Sequence, residues 1–222
     1  MMIVPAILAK SRDEFIEKIK LVTPHVNRVQ FDIMDGKFVP NKTWGTPYEV
    51  VKNWENLALK NEYEVHLMVM QPQTLIKLFV KHKAKIIYFH YEAVKNPQFI
   101  LGLIDKYNKG KKQKSKKGIA INPETPVKKI EPFLNDLDAV LVMGVNPGFS
   151  GQKFQKVALR KIRQIKKINP QIEVGVDGGV NLENAKEITA AGCDYLVAAS
   201  AIFESNNIKE TINNFKSIAN YK

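Results

Sequence analysis

The sequence predicts a single (β/α)8 barrel, a TIM barrel of the α/β class, spanning residues 1–222. Three features point there. Short apolar runs alternate with amphipathic stretches from end to end, with no linker or low-complexity break between them. The runs are continuous and rich in β-branched and aromatic residues, as strands buried on both faces of a parallel sheet must be. An open doubly wound sheet would call for a glycine-rich dinucleotide turn after the first strand, and Ala6-Ile-Leu-Ala-Lys-Ser11 contains no glycine.

In chain order the predicted strands are 3–8, 28–33, 62–69, 85–90, 118–122, 139–143, 172–176 and 195–198. The predicted helices are 11–22, 48–56, 72–81, 97–107, 126–134, 155–168, 182–191 and 204–219. The first opens on Ser11 as N-cap, with Glu14 at the spacing of a capping box. The second, 48–56, carries the weakest helical signal of the eight.

Composition narrows the class of function. No apolar stretch approaches the ~18–20 residues that cross a bilayer, so no membrane partner is expected. The start, Met-Met-Ile-Val-Pro-Ala-Ile-Leu, lacks the basic segment and cleavage site of a signal peptide, which makes a cytoplasmic enzyme the expectation. The single cysteine, Cys193, excludes an internal disulfide and a cysteine-built zinc site; in Ala-Gly-Cys-Asp before an apolar run it reads as core filler. The net charge of +12 comes almost wholly from lysine, with only four arginines. Arginine forks grip phosphates and guanine edges, and their scarcity argues against a nucleic-acid partner. The densest lysine cluster, 109–117, holds no aromatic residue and reads as a solvated loop. A positive field still favours anionic metabolites such as sugar phosphates.

On a barrel of this kind, chemistry belongs at the C-terminal ends of the strands. Residues two apart share one face of a strand, so Gln30, Asp32 and Met34 should point into one cavity. A carboxylate there is costly unless paired or metal-bound; the structural alternative for Asp32 is a buried acid capping a loop. Asp35-Gly36 reads as a turn. His66 ends the third strand, and His90 with Glu92 ends the fourth, where the two could orient each other or a neighbour. Asp177 leaves an apolar strand directly into Gly178 and Gly179, as a backbone that must approach a ligand closely would do. Gly148-Phe-Ser-Gly151 and Ala199-Ser200 follow strands six and eight, where loops of such barrels commonly bind phosphate.

Taken together, Phe31-Asp-Ile-Met-Asp-Gly-Lys-Phe-Val-Pro-Asn41, Val65-His-Leu-Met-Val69, Asn122-Pro-Glu-Thr-Pro126, Val142-Met-Gly-Val-Asn-Pro-Gly-Phe-Ser-Gly-Gln152, Val176-Asp-Gly-Gly-Val180 and Ser200-Ala-Ile-Phe203 closely resemble the ribulose-phosphate 3-epimerase family. The resemblance runs from about Pro5 to Phe203. It implies interconversion of D-ribulose 5-phosphate and D-xylulose 5-phosphate, in the pentose phosphate pathway, through a metal-stabilised enediolate. By the same likeness Asp32 and Asp177 are the two proton-transfer acids, and Asp32, His66 and Asp177 are metal ligands. Met34, Met68 and Met143 form an apolar wall beside the reacting carbons. Gly148, Phe149, Ser150, Gly151, Gly178, Gly179, Ala199 and Ser200 form the phosphate region, with 146–152 as a lid; His66 also faces the substrate. Relatives imply a homo-oligomer.

Five positions depart from the family pattern, and most of them should line the cavity. Gln30 stands for a histidine metal ligand, Ala6 for a serine, Gly144 for a serine or threonine, Gly175 for a glutamate and Ala199 for a glycine. The resemblance implies zinc, but a glutamine carbonyl at position 30 suits zinc less well than imidazole does, which opens the site to Mn, Fe, Co or Mg. The missing hydroxyl and acid also leave open a related ketose phosphate, such as allulose 6-phosphate, or a phosphosugar-binding protein without turnover.

Overall fold

Each apolar run becomes a strand, and in the computed structural model, which describes residues 2–218, the eight close into a parallel barrel in chain order. The strands are β1 (Met2–Ile7), β2 (Arg28–Met34), β3 (Glu62–Met68), β4 (Ile86–His90), β5 (Lys116–Ile121), β6 (Ala139–Met143), β7 (Glu173–Asp177) and β8 (Tyr195–Ala198). Register places Asp32 beside His66, Met34 beside Met68 and Met143 beside Asp177. Alternation along the strands sorts the core into two populations. Val4, Ala6, Ile86, Tyr88, Leu141, Tyr195 and Val197 fill the lumen, while Ile3, Val29, Phe31, Val65, Leu67 and Val174 meet the surrounding helices.

The lower lumen is polar, and its charged groups are paired with one another. Arg28 Nη1 donates to Glu64 Oε2 and Glu173 Oε1, each at 3.1 Å, and Lys116 Nζ reaches Glu173 Oε2 at 2.6 Å. The Tyr195 hydroxyl donates to Glu64 Oε1 at 3.2 Å and lies 2.5 Å from the Tyr88 hydroxyl. Two such rings fit only because glycines face them. A Cβ on Gly118 would lie 2.3 Å from the Tyr88 ring, and one on Gly175 2.4 Å from Tyr195. Lys116 and Lys117 thus belong to β5 rather than to the expected solvated loop, drawn in by Glu173 and Asp105.

The helices are α1 (Arg12–Val22), α2 (Pro47–Asn56), α3 (Gln73–Lys81), α4 (Pro97–Asn108), α5 (Val157–Ile168), α6 (Ala185–Ala190), α7 (Ser200–Phe203) and α8 (Ile208–Ile218). In α1 the Ser11 hydroxyl accepts from Glu14 N, but Glu14 Oε2 accepts from Lys10 N at 2.7 Å, so the box is shifted by one residue. The weakly signalled α2 has the complete box: Thr46 caps Glu49 N, Glu49 returns to Thr46 N, and Pro47 opens the helix.

Three expectations are corrected. The predicted helix 126–134 is two single 3-10 turns, Val127–Lys129 and Glu131–Phe133, because Pro132 in its interior has no N–H to give and its ring clashes with the preceding turn. The predicted helix 182–191 starts later, since Asn181 and Asn184 bind nearby backbone N–H groups as turn residues. The predicted helix 204–219 starts late: the short α7 ends at Phe203, before it, and α8 begins only at Ile208, after Asn207, whose Oδ1 accepts from Glu210 N at 3.1 Å; position 219 lies outside the described residues. Cys193 is fully buried, as core filler should be.

Candidate active site

Asp32, two residues from the end of β2, and Asp177, the last residue of β7, lie at the C-terminal end of the barrel, each only 9% exposed. Gln30, two residues below Asp32 on the same face, spans the gap between them. Its Nε2 donates to Asp32 Oδ1 at 2.8 Å and to Asp177 Oδ2 at 2.7 Å. His66 Nδ1 lies 3.3 Å from Asp32 Oδ1 and 3.2 Å from Asp177 Oδ2. Sharing one face of the pleat, then, brings Gln30, Asp32 and Met34 together as expected, and β3 delivers His66 to the same point.

The electrostatics follow from burial and crowding. Asp32 is raised above the usual carboxylate range, by desolvation first and by the Asp177 charge, against the pull of His66 and Gln30. His66 loses charge stability through burial, yet the close approach and charge of Asp177 and Asp32 outweigh that and raise it to about 9. Ligand atoms of Asp32, His66 and Asp177 all lie within 4.8 Å of one another. His66 Nδ1 and Gln30 Oε1 are buried and find no hydrogen-bond partner among the described residues. Two carboxylates and an imidazole nitrogen converging on one point make a donor set that a divalent cation fits. Gln30 meets that point with its amide nitrogen; presenting the carbonyl oxygen as a fourth ligand requires the amide to turn over.

Above this group opens a cleft of about 540 Å³, mouth included. Every residue expected to touch substrate lines it: His66, Met34, Met68, Met143, Gly148, Phe149, Ser150, Gly151, Gly178, Gly179, Ala199 and Ser200. Gly178 and Gly179 have φ of +98° and +69°, and a Cβ on either would strike Val145 Cγ2 at 2.4 Å or Phe154 N at 2.6 Å, so bare backbone faces the cleft. The loop after β6 is pinned from both sides. Asn41 Nδ2 donates to Gly148 O at 3.0 Å, and Gln152 Nε2 donates to Asn146 O and Phe149 O at 2.8 and 2.9 Å. The Phe149 ring stands 55% exposed at the mouth. Asp35 serves as a turn residue, accepting from Lys37 N and Phe38 N beside Gly36 at φ +73°.

The departures turn out mostly to lie out of the cleft, contrary to expectation. Only Ala6 and Ala199 line it. Gly175 makes room for Tyr195 in the lower lumen, and a Cβ on Gly144 would lie 2.3 Å from Gly178 O. Gln30 is fully buried beneath the carboxylates. Sequence reasoning missed Lys161, which lies buried on α5 with its ammonium on Asn122 O and Thr125 O. A lysine on an amphipathic helix looks like any surface lysine, and only the fold shows otherwise.

Comparison with known proteins agrees with this geometry. The model of the Ribulose-phosphate 3 epimerase family matches residues 2–203. The chain is 39% identical to a ribulose-phosphate 3-epimerase of Bacillus subtilis (strain 168) over 194 residues, covering 85% of each chain. It is 42% identical to one of Methanocaldococcus jannaschii over 194 residues, 85% of this chain and 77% of that one. Among solved structures, the 3-hexulose-6-phosphate synthase of Salmonella typhimurium superposes with a TM-score of 0.74 at 13% identity, over 99% of this chain and 98% of that one. At that identity the likeness concerns the fold alone.

Proposed function

This chain belongs to the ribulose-phosphate 3 epimerase family, and from that premise we propose that it interconverts D-ribulose 5-phosphate and D-xylulose 5-phosphate by moving a proton at C3. One observation carries the reading: Asp32 and Asp177 come from separate strands to a single point under the cleft, held there by one amide. Inverting a carbon centre requires loss of a proton from one face and delivery to the other. One acid alone would return the proton to the side it came from. With two, Asp32 and Asp177 exchange the roles of base and acid according to direction. General acid–base transfer of this kind contributes ~10²–10⁴-fold.

The residues around the pair divide the remaining work. Gln30 fixes the two carboxylates by one hydrogen bond each, which keeps them aimed at a common carbon. Asp32, His66 and Asp177 would hold a divalent ion, which when bound supplies a Lewis acid for the negative charge that develops on the substrate's oxygens. Zinc is the reading by family, with Mn, Fe, Co or Mg admitted by Gln30. Met34, Met68 and Met143 give the carbon chain an apolar wall. Backbone N–H groups at Gly178, Gly179 and Ser200, with the loop from Gly148 to Gly151, receive the phosphate, and residues 146–152 close over it to exclude water. The same reading carries a cytoplasmic setting and a homo-oligomer, the latter decided by sedimentation.

The test is a coupled assay with D-ribulose 5-phosphate run in D₂O. Epimerised product should carry deuterium at C3, and Asp177→Asn should lower kcat by at least ~10²-fold with melting of the metal-free protein unaltered. Wild-type turnover in that variant would sink the two-acid assignment.

A further inference from the structure

Behind His66 a line of polar groups runs away from the cleft, and no step of the reaction above uses it. His90, at the end of β4, places its Nε2 2.7 Å from His66 Nε2, both rings being fully buried. His90 Nδ1 faces Glu92 Oε2 at 3.3 Å. The short 3-10 turn Tyr91–Ala93 folds Glu92 back to make that contact. Glu92 Oε1 in turn accepts from Asn122 N at 2.8 Å and from the Thr125 hydroxyl. Lys161, 4% exposed, closes the line by donating to Asn122 O at 2.5 Å and Thr125 O at 2.6 Å.

The direction of these hydrogen bonds follows from what each group can do. An ionised carboxylate only accepts, so His90 Nδ1 carries the proton shared with Glu92. An imidazole whose single N–H is spent on Glu92 leaves its other nitrogen, Nε2, as an acceptor. Two ring nitrogens 2.7 Å apart need one proton between them, and that proton must then sit on His66 Nε2. The other nitrogen of His66, Nδ1, is the one directed at Asp32 and Asp177. We propose that Glu92, acting through His90, is a positioning residue that keeps His66 protonated at Nε2 and so presents Nδ1 as the metal-binding nitrogen. This rests on the reading that Asp32, His66 and Asp177 hold a divalent ion. Partners one step beyond a ligand typically govern metal affinity by ~10–100-fold, and here the control extends over two rings to a carboxylate held by Asn122 N and the Thr125 hydroxyl.

Glu92→Gln tests it. The variant keeps the shape but offers His90 Nδ1 an amide donor, which reverses both ring hydrogen bonds. Zinc affinity, read by competition with a chromophoric chelator, should fall ~10–100-fold while melting of the metal-free protein stays near wild type. His90→Gln can accept from His66 and donate to Glu92, so it should keep more affinity than His90→Leu. ¹⁵N spectra of the zinc-loaded wild type should show His66 bound through Nδ1 and protonated at Nε2. Equal zinc affinity across wild type, Glu92→Gln and His90→Leu overturns the proposal, as does coordination through Nε2. If the wild type takes up no zinc, manganese or magnesium, the metal reading fails by itself. The metal-free ¹⁵N spectrum then decides: a His66 Nε2–H shared with His90, lost in Glu92→Gln, supports the positioning role, and its absence from the wild type refutes it.

Discussion

Gln30 holds its amide nitrogen against both buried carboxylates, at 2.8 and 2.7 Å, where the sequence resemblance implies an imidazole. The two groups differ in what they can offer at that point. A neutral imidazole gives a lone pair to a metal, whereas an amide nitrogen only donates hydrogen bonds. In this chain Gln30 therefore neutralises some of the repulsion between Asp32 and Asp177 by donation. Gln30→His should raise zinc affinity by adding a nitrogen ligand, measured by chelator competition at constant pH; an affinity unchanged or lowered would place the extra nitrogen out of reach. The residue types at this site were readable from sequence because Gln30, Asp32 and Met34 share one strand face and a buried acid demands a partner. The orientation of the amide was not readable, since it depends on Asp177, which is 147 residues away.

At the scale of single elements, β7 shows how packing explains a residue that looked functional. Gly175 stands where an acid was expected, yet its lack of a Cβ is what admits the Tyr195 ring. Gly175→Ala should cost ~1–3 kcal/mol by overpacking, seen as a lower urea midpoint, with KM unchanged because the residue lies below the cleft. A KM effect instead would return Gly175 to the substrate site. Beside it, Glu64 on β3 is pushed up to about 8, by burial first and against the pull of Arg28. Its ordinary value is 4.5, so between 4.5 and about 8 the folded chain holds a proton that the unfolded chain has released. The stability this contributes is full below pH 4.5 and is lost as pH rises through about 8. The urea midpoint should therefore drop more between pH 6 and pH 9 in wild type than in Glu64→Gln; equal drops would contradict the assignment.

For the molecule as a whole, the barrel and the proposed metal site are separable in energy. The lumen cluster and the larger cluster under the helices are complete without any ion, so removal of divalent ions by chelation should leave a folded barrel. Returning a cation at a hundred times its Kd should add ~2.7 kcal/mol, read as a rise in melting temperature, and Asp32→Asn should abolish most of that rise. A chain that unfolds on chelation would instead make the ion part of the core. Among the described residues no helix is long and apolar enough to cross a membrane.

What the sequence determined by itself was the barrel, its strand order and the two carboxylates at its C-terminal end. These rest on local signals: continuous apolar runs, the two-residue alternation of a strand, and, for Asp177, an acid placed directly before two glycines. Tertiary structure decided the rest. Pro132 removed one expected helix, Asn207 delayed the start of another, and Glu173 and Asp105 drew two lysines out of a predicted loop into β5. It also decided that Gln30 faces the paired aspartates with a donor, and that His90, Glu92 and Lys161 stand in line behind His66. Each of these depends on groups far apart along the chain that meet only when the barrel closes. Local periodicity cannot encode such meetings, because it specifies which face a residue takes and not what waits opposite.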